Sequence, residues 1–117
     1  SSIGEFDLIA RWFSPPVRRA RLGGGDDCAL LPPEPDTETA VSSDLLVEGR
    51  HFLSTVDPES LGHKSLAVNL SDLAACGASP RAFLLALALP ALEPDFLEPF
   101  SRGLLALADE HGCELVG

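Results

Sequence analysis

The sequence predicts an α/β (α+β) fold, a mixed β-sheet with helices packed on it, in the order α-β-β-α-β-α-β. Apolar residues recur at helical spacing in separate stretches, and short apolar runs bounded by turn residues lie between them. A length of 117 residues suits a single domain with one core. No internal repeat or low-complexity tract interrupts it.

"GEFDLIARWF" opens the order: Phe6, Ile9 and Phe13 share a helix face that Leu8 and Trp12 widen, and Ser14-Pro15-Pro16 ends it. Arg18 to Arg21 is a polar connector. "DCALLP" and "TAVSSDLLV" read as two strands, joined by the turn-rich "PEPDTE" into an antiparallel hairpin. "STVDPESLG" reads as loop. From Leu61 to Cys76, Leu66, Leu70 and Leu73 fall at i, i+4 and i+7 beside Ala67 and Ala74, with Gly77 as the residue past the helix end.

"RAFLLALAL" is apolar on both faces and closed by Pro90, which predicts a buried central strand. The next helix spans "EPDFLEPFSRGLLALADEHG", with Pro94 near its start and Gly112 past its end. Pro99 must lie in its first turn or bend it. "CELVG" begins a further strand, and a chain that stops there, at Gly117, is expected to be the truncated amino-terminal piece of a longer protein.

Composition narrows the function. The formal charge is −10, Lys64 is the single lysine, and the arginines form no basic run, which argues against a nucleic-acid partner. A bound phosphate would meet net repulsion unless it arrived with metal ions. Apolar residues make up 45 % of so small a chain, so part of that surface is expected to meet a partner. Cys28, Cys76 and Cys113 lack CxxC spacing, as expected of reduced core thiols in a cytoplasmic protein. The run from Arg81 to Pro90 is too short to span a bilayer.

The stretch "RLGGGDDCALL" sets three glycines before two aspartates, and Asp26 and Asp27 repel each other unless a cation sits beside them. A hairpin turning near Pro35 and Asp36 places Asp27 opposite Asp44, to within a residue or two. Like charges across a ladder are destabilising, so this arrangement asks for a divalent cation, with Ser42 and Ser43 supplying further oxygens. Asn69 and Asp72, at i and i+3 of the next helix, present two more oxygen donors. Oxygen ligands without paired His or Cys select Mg²⁺, Mn²⁺ or Ca²⁺ over zinc. His51, in "VEGRHF", stands close enough in sequence to be a ligand contact, whereas His63 and His111 have no comparable neighbours.

Each cluster has a plainer reading. "GGGDD" serves as a polar loop in many proteins, Asp44 can cap a turn, and Asn69 and Asp72 can form a solvated helix face. The three together favour a site. No EF-hand spacing and no GxxxxGK[ST] is present.

Taken in order, "GEFDLIARWF", "GGGDDCALL", "VSSDLLVEGRHF" and "KSLAVNLSDLAACGASPRAFLLALALP" resemble the amino-terminal domain of the thiamine-monophosphate kinase family. That family belongs to a superfamily of ATP-binding proteins that includes aminoimidazole ribonucleotide synthetase and selenophosphate synthetase. The resemblance covers nearly the whole chain. It implies the aminoimidazole ribonucleotide synthetase-like fold and transfer of the ATP γ-phosphoryl group to thiamine phosphate, with several Mg²⁺ ions bridging the phosphates. It further implies metal ligands at Asp27, Ser42, Ser43, Asp44 and Asp72, flanked by Asp26, a thiamine-substrate contact at His51, and a nucleotide pocket shaped by Gly23 to Gly25 and Asn69.

Gly24 and Ser43 depart mildly from the family's usual isoleucine and threonine, and Arg50 before His51 is less expected. The family's later Gly-Asp-Thr element and second domain are absent from the sequence, so this chain is expected to be catalytically incomplete by itself. The resemblance also implies a homodimer formed through the sheets. Two rival readings are another ATP-dependent enzyme of the same superfamily and a noncatalytic module whose acids bind a structural metal.

Overall fold

The computed structural model of the chain describes residues 4–17, 29–45, 57–88 and 93–117. Within them lie α1 (Glu5–Trp12), α2 (Pro58–Ala75), β1 (Ala82–Phe83), α3 (Pro94–Glu110) and β2 (Glu114–Leu115). β1 and β2 pair in parallel, Ala82 with Glu114 and Phe83 with Leu115, so β1, α3 and β2 form a strand-helix-strand crossover. The Leu85 N–H donates to the Gly117 carbonyl and extends the pairing beyond the two short strands.

The helices begin and end where local chemistry directs. Asp57 caps α2, its Oδ2 accepting from the Ser60 N–H and the Ser60 hydroxyl, both at 3.0 Å, while Pro58 fills the first helical position. The expected loop "STVDPESLG" is therefore helical from Pro58 onward. The Asp-Pro pair is the start signal, and it lies upstream of the leucine periodicity that alone suggests Leu61. At the other end Gly77 (φ 71°) donates to the Ala74 carbonyl and Ala78 donates to Leu73, a Schellman closure. Gly112 (φ 63°) and Cys113 repeat it on Asp109 and Ala108 behind α3. Pro99 lies in the second turn of α3, where it has no N–H to offer the Asp95 carbonyl.

The core sits between α2 and α3. Leu61 and Leu66 meet Leu97, Phe100, Leu104 and Leu107, α1 adds Leu8 and Phe13 follows it, and Leu115 closes the cluster from β2. Phe100 stands at 6.4 Å from the Phe13 ring and 5.7 Å from Phe96. The crossing is unusually close because both helices carry glycine there. A Cβ on Gly62 would collide with the Phe100 carbonyl, and one on Gly103 with the Glu59 carbonyl.

Two strand expectations are corrected. The expected hairpin is not seen across residues 29–45, which carry an isolated bridge at Leu30 but no regular strand. Its turn does fall at Pro35 and Asp36, with Asp36 at φ 61°. Pro32, Pro33 and Pro35 remove three ladder donors in four residues, and most of the segment is exposed, so neither hydrogen bonding nor burial holds it as a strand. The "RAFLLALAL" run is likewise not a buried central strand over its described part. Phe83 and Leu85 turn toward the core, but Leu84 on the opposite face is 73 % exposed. No described element covers that face.

Among the described residues no helix is long and apolar enough to cross a membrane.

Candidate functional site

The chain arrives at the candidate site from two directions. One is α2, whose carboxy-terminal half carries Asn69 and Asp72 one turn apart on the helix. The other is the irregular, exposed segment 37–45, which carries Ser42, Ser43 and Asp44.

They meet at one point. The Ser42 hydroxyl donates to Asp72 Oδ2 at 3.5 Å, across thirty residues of sequence, and both side chains are exposed. At the outer limit of a hydrogen bond this contact contributes little energy by itself. Its information is positional: a hydroxyl and a carboxylate oxygen from separate elements face the same small volume of solvent. Asp44 Oδ1 accepts the N–H of Leu45 at 2.9 Å, which fixes that carboxylate against its own backbone.

Asn69 is held differently. Its Nδ2 donates to the Ser65 carbonyl at 3.2 Å, one turn back along α2. Its Oδ1 is buried and has no hydrogen-bond partner among the described residues. A buried amide oxygen left unpaired costs about 1–3 kcal/mol, so it marks a place where a donor or a cation would be stabilising.

The remaining sequence-predicted residues, Gly25, Asp26, Asp27 and His51, lie outside the described residues. Among the described residues, no three His, Cys, Asp or Glu side chains gather as a metal site. Ser42 and Asp72 are oxygen donors, the type a hard cation prefers, and the exposed Cys76 follows Asp72 by one turn at the end of α2. Both are of the type that such a cation could use as ligands.

The expected pairing of Asp27 with Asp44 involves a residue outside the described ones, and residues 29–45 carry no regular strand. A clasp not expected from the sequence joins the base of segment 29–45 to the chain beside β1. Arg81, just before β1, donates from Nη2 to the Pro32 carbonyl at 3.2 Å. Its Nε, buried, lies 3.4 Å from Glu34 Oε1, an ion-pair distance without hydrogen-bond alignment. The available signal was an arginine placed directly before an otherwise apolar run, where a charge needs a partner.

A profile of the AIR synthase related protein family, N-terminal domain, matches residues 25–117. The thiamine-monophosphate kinase of Salmonella typhimurium is 53 % identical to this chain over 119 aligned residues, covering 97 % of it and 36 % of the relative. That of Escherichia coli K12 is 52 % identical with the same coverage. The crystal structure of thiamine-monophosphate kinase from Stenotrophomonas maltophilia K279a superposes with a TM-score of 0.78 at 46 % identity, covering 84 % of this chain and 31 % of that one. The chain therefore spans about a third of the length of the curated relatives it matches.

Proposed function

Because this chain belongs to the AIR synthase related protein family through its N-terminal domain, we propose that it is the metal- and nucleotide-binding part of a thiamine-monophosphate kinase. The reaction is transfer of the ATP γ-phosphoryl group to thiamine phosphate, giving thiamine diphosphate and ADP. The observation that carries this reading is the approach of Ser42 to Asp72 from two separate elements, in a chain more than half identical to kinases of that name.

Phosphoryl transfer asks the protein mainly for positioning and for neutralisation of charge. Mg²⁺ would supply positive charge to offset that of the phosphates against a protein of net charge −10. The residues proposed to hold it are Asp27, Ser42, Ser43, Asp44 and Asp72, with Asp26 beside them. Asp72 contributes a carboxylate from the rigid frame of α2, and Ser42 contributes a hydroxyl from the irregular segment. Gly25 and Asn69 are assigned to the nucleotide, the Asn69 oxygen, unpartnered among the described residues, being available to a ligand donor. His51 is assigned to the thiamine substrate. The exposed Leu84, Leu45 and Val41 are consistent with a homodimer that covers them, in a cytoplasmic enzyme.

A chimaera tests the activity. With this chain in place of the matching third of the Salmonella typhimurium relative, ATP and thiamine phosphate should yield thiamine diphosphate. A folded chimaera that consumes ATP with a different acceptor would favour another enzyme of the superfamily. One that binds Mg²⁺ with no regard to nucleotide would favour a structural metal module.

A further inference from the structure

The segment that brings Ser42 to Asp72 has few ties to the rest of the molecule. From 33 to 45 every residue is exposed, so packing cannot fix its course. Besides the backbone bridge at Leu30, the side-chain cross-links between residues 29–45 and the rest of the described molecule fall at two places, Arg81 on Pro32 and Glu34, and Asp72 on Ser42. The first lies at the base of the segment, the second near its end. Thr37, between them, closes the intervening turn on itself through its hydroxyl and the Glu34 carbonyl at 2.8 Å.

Arg81 is suited to hold such a segment. Its own carbonyl accepts the Glu114 N–H, which fixes its backbone at the edge of the β1–β2 pair. Its guanidinium then reaches a backbone carbonyl with one nitrogen and a carboxylate with another, a planar fork that a lysine cannot reproduce. The side chain is 29 % exposed, against 56 % for Glu34, so the arginine is the anchored member of the pair.

We infer that Arg81 is a positioning residue: it clamps the base of segment 29–45 to the sheet and thereby sets where Ser42, Ser43 and Asp44 stand relative to Asp72. Its contacts with Pro32 and Glu34 assign it a role through the segment. The effect on cation binding rests on the reading of Ser42 and Asp72 as ligands, whereas the effect on the segment does not.

The test uses the 117-residue chain and its Arg81→Ala and Arg81→Lys variants, with Mn²⁺ as the spectroscopic probe and NMR backbone order parameters over residues 37–45 as the second readout. Arg81→Ala should weaken Mn²⁺ binding about tenfold or more, the scale of lost outer-sphere support, and should lower the order parameters in 37–45 while helix content stays unchanged. Arg81→Lys, which reaches one acceptor but not both, should recover part of each loss. Unchanged order parameters and unchanged Mn²⁺ affinity in Arg81→Ala would overturn the inference. So would equal losses in both variants that track a general loss of helix. Should Arg81→Ala fail to fold, Glu34→Gln removes one arm of the clamp and must show the same direction of change. If the unaltered chain binds no Mn²⁺, the cation reading falls and the order-parameter comparison still decides the role of Arg81.

Discussion

Where α2 crosses α3, backbone meets backbone at Gly62 and Gly103, and Leu97 and Leu104 beside them are withdrawn almost completely from water. Segment 29–45 has the opposite construction, lying mostly in solvent and tied down by side-chain bonds at Arg81 and Asp72. The crossing is stabilised by apolar burial and close packing, which tolerate no added atoms. The segment gains little from burial, and its polar oxygens remain available to a ligand. Among the described residues, stability and the candidate chemistry thus reside in different parts of the chain and meet along α2, which contributes Leu61 and Leu66 to the core and Asp72 to the site.

That contrast can be broken from the core side first. Leu97→Ala empties a fully enclosed position and should cost about 3–4 kcal/mol, read as a lower denaturant midpoint at an unchanged slope. Gly103→Ala drives a methyl into the Glu59 carbonyl and should cost about 2–3 kcal/mol, measured the same way, because the helices must separate to admit it. At the small end stands Glu59→Gln. Its carboxylate lies 3.1 Å from Arg102 Nε, but both side chains are about half exposed, so the loss should stay at or below about 1 kcal/mol and shrink further in salt. If Glu59→Gln cost as much as Gly103→Ala, the crossing would owe its stability to charge and the contrast would fail.

Periodicity made the helical core legible. The spacing of Ile9 and Phe13, Pro94 at the start of α3, and Gly77 and Gly112 beyond the helix ends all point to structure that forms as local rules dictate. The close crossing was not legible, because nothing local to Gly62 announces that Gly103, forty-one residues away, will face the same helix pair. The strand readings went astray for a related reason. Apolar alternation around Leu84 reports a preference for burial, but what covers a strand is supplied by distant chain, and among the described residues one face of β1 has no cover. The site was legible in part. The acid and hydroxyl types at Ser42 and Asp72 suggested shared oxygen chemistry and the fold brings the two together, yet the Arg81 clasp spans forty-nine residues, and the sequence shows only that Arg81 needs a partner, not that Pro32 and Glu34 supply it.

The account depends on Asp72 serving a cation rather than the fold, and calorimetric titration of a nonhydrolysable ATP analogue into the 117-residue chain, with and without Mg²⁺, tests this directly. The unaltered chain should bind the analogue more tightly when Mg²⁺ is present, and Asp72→Asn, at an exposed position, should lose about tenfold or more of that enhancement with its helix content intact. An Asp72→Asn chain whose nucleotide binding responds to Mg²⁺ as the unaltered chain does would contradict it.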